Sequence, residues 1–179
     1  MTTAPGQRPD PLRPLIDAAV EGDGNALGEL VRRTQPVVWN VCTALGSPGE
    51  EHDLVQETYL RAIKSLASYR GEAPVQAWLL SIARRVCADD VRRRQRQRRL
   101  IDKVGRHTTR SSTPATDMID DILAQLHPDR REAFVLTQFG GLAYEEAAAV
   151  LGCPVGTVRS RVSRARADLL AAVRHAEAQ

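Results

Sequence analysis

A run of arginines and small residues between positions 157 and 166 has the spacing of a DNA-reading helix. At roughly 100° per residue, a helix that turns Val158 and Val162 towards its own core presents a row of small residues to the outside. That row comprises Gly156, Ser160, Ser163 and Ala167. Small side chains let a helix enter the major groove of DNA, where the guanidinium group of Arg164 can bind a guanine edge through two hydrogen bonds. The pattern therefore predicts contacts between this helix and DNA bases.

Three further polar residues, Thr157, Arg159 and Arg161, lie on the flanks of the same predicted helix. From the flanks of a helix in the major groove, side chains reach phosphates more readily than bases. Phosphate contacts fix the register of a protein on DNA and supply affinity that depends on salt. We therefore predict that these three residues bind the DNA backbone.

The segment before this helix has the turn chemistry of a helix-turn-helix. A short helix is predicted from Tyr144 to Leu151, and Gly152-Cys153-Pro154 interrupts it. Glycine suits the end of a helix and proline suits the first turn of the next one. A short turn with glycine between two helices is a common DNA-binding geometry. A basic helix that is merely solvated is the alternative, but the turn and the small outer residues favour DNA binding.

Composition and periodicity predict an all-α fold of two small helical domains joined by a flexible linker. The chain of 179 residues is 42% hydrophobic but only 4% aromatic, and it lacks a clear alternating pattern typical of β-strands. Helical periodicity covers residues 12–99 and again residues 118–175, which include the helix-turn-helix. Residues 100–117 have the Gly, Ser, Thr and Pro content of a linker. Residues 1–11 are expected to form a disordered tail.

The helix predicted over residues 50–66 has two distinct faces. Its inward stripe is predicted to comprise Val55, Tyr59, Ala62, Ile63 and Leu66. The opposite face then presents Asp53, Gln56, Glu57, Leu60 and Lys64. A leucine among carboxylates and amides suggests a protein partner. A solvated face with one exposed leucine is the commoner arrangement, and both interpretations stay open at this point.

A long helix is predicted to begin at Val75 and to end in a block of arginines. Trp78, Leu79, Ile82 and Val86 are predicted to face the core, and Arg84, Cys87 and Val91 to face outward. The block comprises Arg92, Arg93, Arg94, Arg96, Arg98 and Arg99 and is suited to duplex phosphates. The polar loop before the helix, Ser68–Pro74, contains one aromatic residue, Tyr69. Such a loop could hold an unstacked base, or it could be a plain connection.

No residues are arranged for catalysis or metal binding. The acidic pairs Asp89-Asp90 and Asp120-Asp121 fall in different predicted domains, and the four histidines lack the spacing of zinc ligands. The three cysteines show no C-x-x-C spacing and are predicted to be buried thiols in a reducing cytosol. No apolar run approaches the length of about 18 residues that a membrane span requires, so no membrane insertion is expected.

Three segments, taken in order, resemble a bacterial extracytoplasmic-function (group 4) sigma factor of the sigma-70 family. Asp53–Leu66 resembles region 2.2, Ser68–Arg94 resembles regions 2.3 and 2.4, and Leu126–Arg166 resembles region 4. The resemblance covers about residues 12 to 172. It implies a cytoplasmic, non-catalytic protein that binds core RNA polymerase and directs it to the −35 and −10 elements of promoters. It also implies an anti-sigma partner, and it implies no cofactor.

The resemblance gives a role to each of the surfaces described above. Asp53, Gln56, Glu57 and Leu60 would bind the β′ clamp helices of core RNA polymerase, and the β flap would be a second contact. Tyr69, Arg70, Arg84, Arg85, Arg92 and Arg93 would bind the −10 element, with the loop around Tyr69 capturing a flipped base. Thr157, Arg159, Ser160, Arg161, Ser163 and Arg164 would bind the −35 element.

Two other classes of protein share parts of these features. An autonomous helix-turn-helix transcription regulator would use only the DNA-reading helix, but it would need a dimerisation element that the sequence does not offer. A nucleic-acid enzyme with a helix-turn-helix appendage would need clustered carboxylates or a metal triad. The autonomous regulator also leaves the face of the helix over residues 50–66 unexplained, and the two acidic pairs that an enzyme could use fall in different predicted domains.

Overall fold

The structure, a computed structural model, describes residues 10–104 and 122–177. Every regular element in these two ranges is helical, which confirms the predicted all-α class. The first domain contains α1 (Arg13–Val20), α2 (Gly24–Leu45), α3 (Glu51–Ser65), a 3₁₀ turn (Leu66–Ser68) and α4 (Val75–Val104). The second domain contains α5 (Pro128–Gln138), α6 (Tyr144–Leu151) and α7 (Val155–Glu177), preceded by a helical turn at residues 122–125.

Helix α2 forms the centre of the first domain. The carboxylate of Asp23 accepts hydrogen bonds from the backbone N–H groups of Asn25 (2.8 Å) and Ala26 (3.2 Å), and so caps its first turn. Pro36 lies inside α2, although proline removes a backbone hydrogen bond and commonly kinks or splits a helix. The helix is not split. Val38 and Val41, just beyond the proline, are fully buried, and their packing offsets the cost of the missing hydrogen bond.

Helix α3 differs from its predicted orientation at one position. Val55 and Ala62 are buried as predicted, but Ile63 is 45% exposed. Helix α3 packs against both α2 and α4, and Leu54 and Thr58 fill the contact between the three helices. That contact centres the buried stripe on Leu54 and Thr58, which moves Ile63 to its exposed edge.

Helix α4 is buried on more than one side. Leu79, Ile82 and Val86 face the core as predicted. Helical periodicity predicts Cys87 on the outward face of α4, but the residue is only 1% exposed, in agreement with the prediction of buried thiols, because α4 contacts α2 and α3 and also α6 of the second domain. Its thiol lies beside that of Cys42 in α2, and this neighbour together with burial holds the pKa of Cys87 well above its usual value. Cys87 is therefore a neutral core residue.

The two domains pack directly against each other. The Arg131 guanidinium donates a hydrogen bond to the carbonyl oxygen of Ala44 (2.7 Å), and the Gln76 side-chain amide donates one to the carbonyl of Gly140 (2.7 Å). A continuous apolar cluster includes residues of both domains. The described residues therefore form one packed unit.

The predicted domain boundaries fall close to the edges of the described ranges. Helix α4 continues to Val104 and so extends into the predicted linker, residues 100–117. Residues 105–121, which contain the rest of that linker, lie outside the described residues. Of the predicted tail, residues 1–9 also lie outside them, whereas Asp10 is described and forms hydrogen bonds.

Candidate nucleic-acid and protein interfaces

The turn between α6 and α7 positions the candidate DNA-reading helix. Helix α6 spans Tyr144–Leu151, as predicted, and ends at Gly152, which adopts the left-handed conformation with φ of +64°. Helix α7 begins directly after Pro154, at Val155. At the other end of α6, the Glu146 carboxylate accepts a hydrogen bond from the Ala143 N–H (2.9 Å). Both ends of α6 are thus fixed by local interactions.

The predicted orientation of α7 is confirmed. Val158, Val162 and Ala165 are buried with at most 1% exposure, and they pack in the core of the second domain. Four of the candidate DNA-binding residues, Arg159, Ser160, Ser163 and Arg164, are exposed. The outward face of α7 is therefore accessible to DNA, whose major groove is wide enough to admit an α-helix.

The other two candidates on α7, Thr157 and Arg161, are partly buried. The Arg161 guanidinium forms an ion pair with Asp129 of α5 and donates a hydrogen bond to the Cys153 sulfur (3.7 Å). Thr157 is half-buried, and its carbonyl accepts a hydrogen bond from the Ser160 hydroxyl (2.9 Å). Arg161 therefore links α7 to α5. Helical periodicity within α7 does not reveal this role, because Asp129 lies in another helix.

Two further polar contacts hold α5 against α7. Arg130 donates a hydrogen bond to Asp168 (2.7 Å), and Arg166 donates one to the side-chain carbonyl of Gln138 (2.9 Å). Together with the Arg161–Asp129 pair, they brace α7 along much of its length. The exposed face of α7 is consequently presented by a rigid support.

The loop predicted to hold a base has an ordered aromatic centre. The rings of Tyr69 and Trp78 lie 5.1 Å apart between centroids, and the Tyr69 hydroxyl donates a hydrogen bond to the carbonyl of Ala73 (2.7 Å). These residues line a cleft of about 600 Å³. Its opposite wall is formed by α6 of the second domain, including Glu145 and Glu146. An aromatic pair beside a cleft is a suitable surface for stacking a nucleobase.

Arg70 and Arg85, two of the candidate arginines for the −10 element, are exposed. Arg85 folds back onto its own helix, where it donates hydrogen bonds to the carbonyl (3.0 Å) and hydroxyl (2.9 Å) of Ser81. Arg84 is 28% exposed and pairs with Glu132 of the second domain (2.9 Å). The second domain therefore occupies one of the predicted DNA contacts.

Arg92 and Arg93 pair with carboxylates one helical turn earlier in α4. Arg92 binds Asp89 (3.0 Å) and Arg93 binds Asp90 (2.7 Å), while both arginine side chains remain more than 60% exposed. Each arginine can therefore keep its carboxylate partner and still reach a phosphate.

The candidate protein-binding face of α3 is exposed as predicted. Asp53 and Gln56 are exposed, Leu60 is 52% exposed, and the exposed Ile63 extends the apolar part of this face. Glu57 forms an ion pair with Arg61 (2.7 Å). A leucine and an isoleucine one helical turn apart, bordered by carboxylates, form the kind of mixed surface that binds another protein.

Arg61 also connects α3 to α4 through Asp89 (3.0 Å). Hydrogen bonds from Arg61 and Arg92 hold the pKa of the Asp89 carboxyl below its usual value. The carboxylate is thus ionised at neutral pH and joins the α3 face to the arginine block of α4.

A second polar network fixes the beginning of α3. Arg94 of α4 forms ion pairs with Glu50, which precedes α3, and with the buried Asp90 (3.5 Å). Burial alone would raise the pKa of Asp90, but its hydrogen bonds and the Arg93 and Arg94 guanidinium groups outweigh that effect and lower it. Local sequence patterns do not reveal this network, because Glu50 and Arg94 are far apart along the chain.

We expect Asp90→Ala to lower the free energy of unfolding by about 1–3 kcal/mol, because it removes a buried, charge-assisted hydrogen-bond acceptor. The loss should stay in this range, since Arg93 remains largely exposed and can be solvated. Urea unfolding followed by circular dichroism measures it. Asp53→Ala, at an exposed site, is the control. Equal midpoints for the two variants would show that the Arg94 network does not stabilise the domain.

Among residues 10–104 and 122–177, no group of three or more histidine, cysteine or acidic side chains is placed to hold a metal ion. Within the same ranges, no helix combines the length and hydropathy of a membrane span.

Comparison with known proteins agrees with this arrangement. The family model for sigma-70 region 2 matches residues 30–97, and the model for sigma-70 region 4 matches residues 116–169. The chain is 41% identical over 175 residues to the ECF RNA polymerase sigma factor SigC of Mycobacterium tuberculosis (strain CDC 1551 / Oshkosh), covering 94% of this chain and 95% of that protein. It is 32% identical to the ECF RNA polymerase sigma-E factor of Escherichia coli (strain K12), covering 85% and 88% of the two chains.

Two solved structures of other proteins share the fold of this chain. CnrH, in a complex with the cytosolic domain of CnrY, superimposes with a TM-score of 0.76 at 30% sequence identity, covering 91% of this chain and 97% of that one. The sigma factor RpoE of Bartonella quintana, in a complex with the anti-sigma factor NepR, superimposes with a TM-score of 0.70 at 29% identity, covering 84% and 97%. The chain belongs to the sigma-70 family and is an extracytoplasmic-function sigma factor that directs RNA polymerase to promoters.

Proposed function

We propose that the two domains divide promoter recognition between them. Residues 12–99 bind core RNA polymerase and the melted −10 element, and residues 118–175 bind the −35 element as a duplex. The protein acts in the cytoplasm and catalyses no reaction of its own. Its specificity lies in directing the polymerase to particular promoters. The observation that carries this proposal is the exposed, small-residue face of α7, which is braced from behind by α5.

The face of α3 is the proposed contact with the β′ clamp helices. Asp53, Gln56 and Glu57 supply polar and acidic groups, and Leu60 supplies the apolar centre. Acidic residues around an apolar centre suit a partner surface with basic residues at its rim. The β flap is the proposed partner of the second domain.

The cleft beside Tyr69 is the proposed binding site for an unstacked −10 base. Tyr69 and Trp78 provide a stacking surface, and Arg70 is exposed at the same cleft. Arg84, Arg85, Arg92 and Arg93 follow along α4, where they would bind the adjoining phosphates. Base capture by stacking needs no enzyme chemistry, which fits the absence of a predicted catalytic group.

On α7, Ser160, Ser163 and Arg164 are proposed to contact −35 bases, with Arg159 and Thr157 on the backbone. Arg161 would bind a phosphate only by sharing or leaving its ion pair with Asp129. Arg159 is therefore the stronger candidate for a backbone contact.

We further propose that an anti-sigma protein controls this chain. CnrH and the Bartonella quintana RpoE were both solved in complexes, the first with the cytosolic domain of CnrY and the second with the anti-sigma factor NepR. An inhibitor of this chain would have to cover the α3 face or the DNA-binding surfaces.

The packed arrangement is too small to serve both promoter elements at once, because a compact unit of about 150 residues has a radius of gyration of only about 15 Å. The −35 and −10 elements lie about 25 base pairs apart, which is roughly 85 Å along B-form DNA at about 3.4 Å per base pair. The two domains are joined here by direct hydrogen bonds. We therefore propose that they separate when the protein binds its promoter.

Glu132→Arg should favour the separated state, because it places a second positive charge opposite Arg84. A partly buried contact of like charges costs about 1–3 kcal/mol, so the ratio of separated to packed molecules should rise about 5- to 150-fold. Small-angle X-ray scattering of the full chain should show a larger radius of gyration. Glu29→Arg, on a different surface, should leave it unchanged, and Arg84→Glu with Glu132→Arg should restore the compact value. A compact Glu132→Arg protein would show that this ion pair does not hold the domains.

Binding to core RNA polymerase tests the proposal as a whole. Fluorescently labelled full-length protein, titrated with core polymerase that lacks any sigma factor, should show a saturable rise in anisotropy. A housekeeping sigma factor should compete for the same site. A protein that fails to bind core polymerase would instead fit the autonomous helix-turn-helix regulator.

A further inference from the structure

Helix α1 lies outside the segment that matches the region 2 family model, which begins at residue 30. It nevertheless packs against the Tyr69 loop, the proposed binding site for an unstacked −10 base. Ile16 of α1 is fully buried in a small apolar cluster with Leu66 and Val75, the residues that flank the Tyr69 loop on either side. Tyr69 and Trp78 pack against that cluster. The amino-terminal segment is thus positioned to influence the loop.

The guanidinium group of Arg13 reaches from α1 onto the loop. Its Cζ atom lies 5.4 Å from the centre of the Tyr69 ring, within the range of a cation–π interaction. Its Nε donates hydrogen bonds to both carboxylate oxygens of Asp17 (2.8 and 2.9 Å), which orient the planar group. Arg13 is therefore held at one end by Asp17 and at the other by the aromatic ring.

Gly71 accommodates the same guanidinium group from the other side. A Cβ atom added at Gly71 would overlap the Arg13 guanidinium, and the φ of Gly71 is +72°, in the region that favours glycine. The loop thus turns sharply where the arginine lies against it. Both the aromatic residue and the turn of the loop contact one side chain of α1.

Asp10 adds a second connection. One oxygen of its carboxylate accepts a hydrogen bond from the backbone N–H of Val75 (2.6 Å), at the beginning of α4. The other oxygen accepts one from the N–H of Leu12 (3.0 Å). The end of the loop is thereby fixed to the residues that lead into α1.

From these contacts we infer that Arg13 is a positioning residue for −10 recognition: it holds Tyr69 and the turn at Gly71 in the geometry that accepts an unstacked base. The inference rests on the proposed role of the Tyr69 loop. It extends the −10 site to an amino-terminal helix beyond the matched segment. A preformed loop loses less conformational entropy on binding, so removing Arg13 should weaken base capture without removing a contact to the base itself.

The test uses holoenzyme assembled from core polymerase and the full-length chain. The probe is a fluorescent single-stranded oligonucleotide that carries the non-template −10 sequence of a promoter mapped with this holoenzyme. Arg13→Ala and Tyr69→Ala should each raise the dissociation constant about tenfold. Because the two residues act together, the double variant should also lose about tenfold and not a hundredfold. Arg13→Lys should resemble Arg13→Ala, because a single ammonium group cannot bind Asp17 as Nε does and also place a cation over the Tyr69 ring.

Arg33→Ala is the matched control, since Arg33 also pairs with a carboxylate one turn away (Glu29, 2.6 Å) but does so on α2. Its affinity should equal that of the wild type. If Tyr69→Ala weakens binding and Arg13→Ala does not, the inference is wrong and the role of the loop stands. If neither substitution weakens binding, the inference and the proposed role of the Tyr69 loop are both wrong. If the losses multiply in the double variant, Arg13 acts independently of Tyr69. If Arg13→Ala also loses core binding and thermal stability to the same degree, the role of Arg13 is merely structural. Arg13→Gln, which retains the side-chain stem, replaces the alanine variant if that protein does not fold.

Discussion

Glu57→Lys should weaken binding to core RNA polymerase about ten- to a hundredfold. The substitution puts a positive charge into a face whose carboxylates are proposed to meet basic residues, and a contact between like charges at an interface is unfavourable. The expected loss corresponds to about 1.4–2.8 kcal/mol. The fold should tolerate the change, because the ion pair between Glu57 and Arg61 is about 45% exposed on the Glu57 side and exposed pairs contribute little stability. Anisotropy titration with core polymerase measures the loss.

Glu29→Lys is a matched control for this experiment. Glu29 pairs with Arg33 at the same i,i+4 spacing, but it lies on α2, outside the proposed interface. Its core affinity should remain within about twofold of the wild-type value. Equal affinities for the wild type and Glu57→Lys would remove α3 from the polymerase interface.

Arg164→Ala should reduce promoter binding by about 1–3 kcal/mol and should relax the preference for one base pair in the −35 element. Arg164 is exposed on α7 beside Ser160 and Ser163, so it can reach a base edge that small neighbours leave open. The measurement is holoenzyme affinity for a set of promoters that differ at single −35 positions. The loss should be largest for the promoter that carries the preferred base.

Arg159→Ala provides the contrast on the same helix. Its proposed partner is a phosphate, so its loss should be similar on every promoter and should reduce the salt dependence of binding. If Arg164→Ala behaves in this uniform way, Arg164 does not read a base.

The second domain could be predicted well because its signals are local. The bounds of α6 follow from Gly152 at one end and the apolar spacing within it, and the buried face of α7 follows from Val158 and Val162 repeating at helical intervals. Neither feature requires knowledge of a distant segment. The same periodicity placed the exposed acidic face of α3 correctly.

Several features that sequence reasoning missed depend on segments far apart in the chain. Cys87 is buried because α4 contacts helices on several sides, and periodicity within α4 does not reveal how many neighbours it has. The Arg84–Glu132 pair joins residues of different domains, and the hydrogen bond between Asp10 and Val75 joins residues that are separated in the sequence by α1, α2 and α3. Their consequence is functional, because a residue proposed to bind DNA is partly occupied by the second domain.

The most direct test of the central claim is transcription by core polymerase with and without this chain. The template is sheared genomic DNA of the source organism, and the 5′ ends of the transcripts are sequenced. We expect discrete starts that require the chain and share one motif near −35 and another near −10, with the −35 preference altered by Arg164→Ala. Starts that are the same with and without the chain would contradict the account.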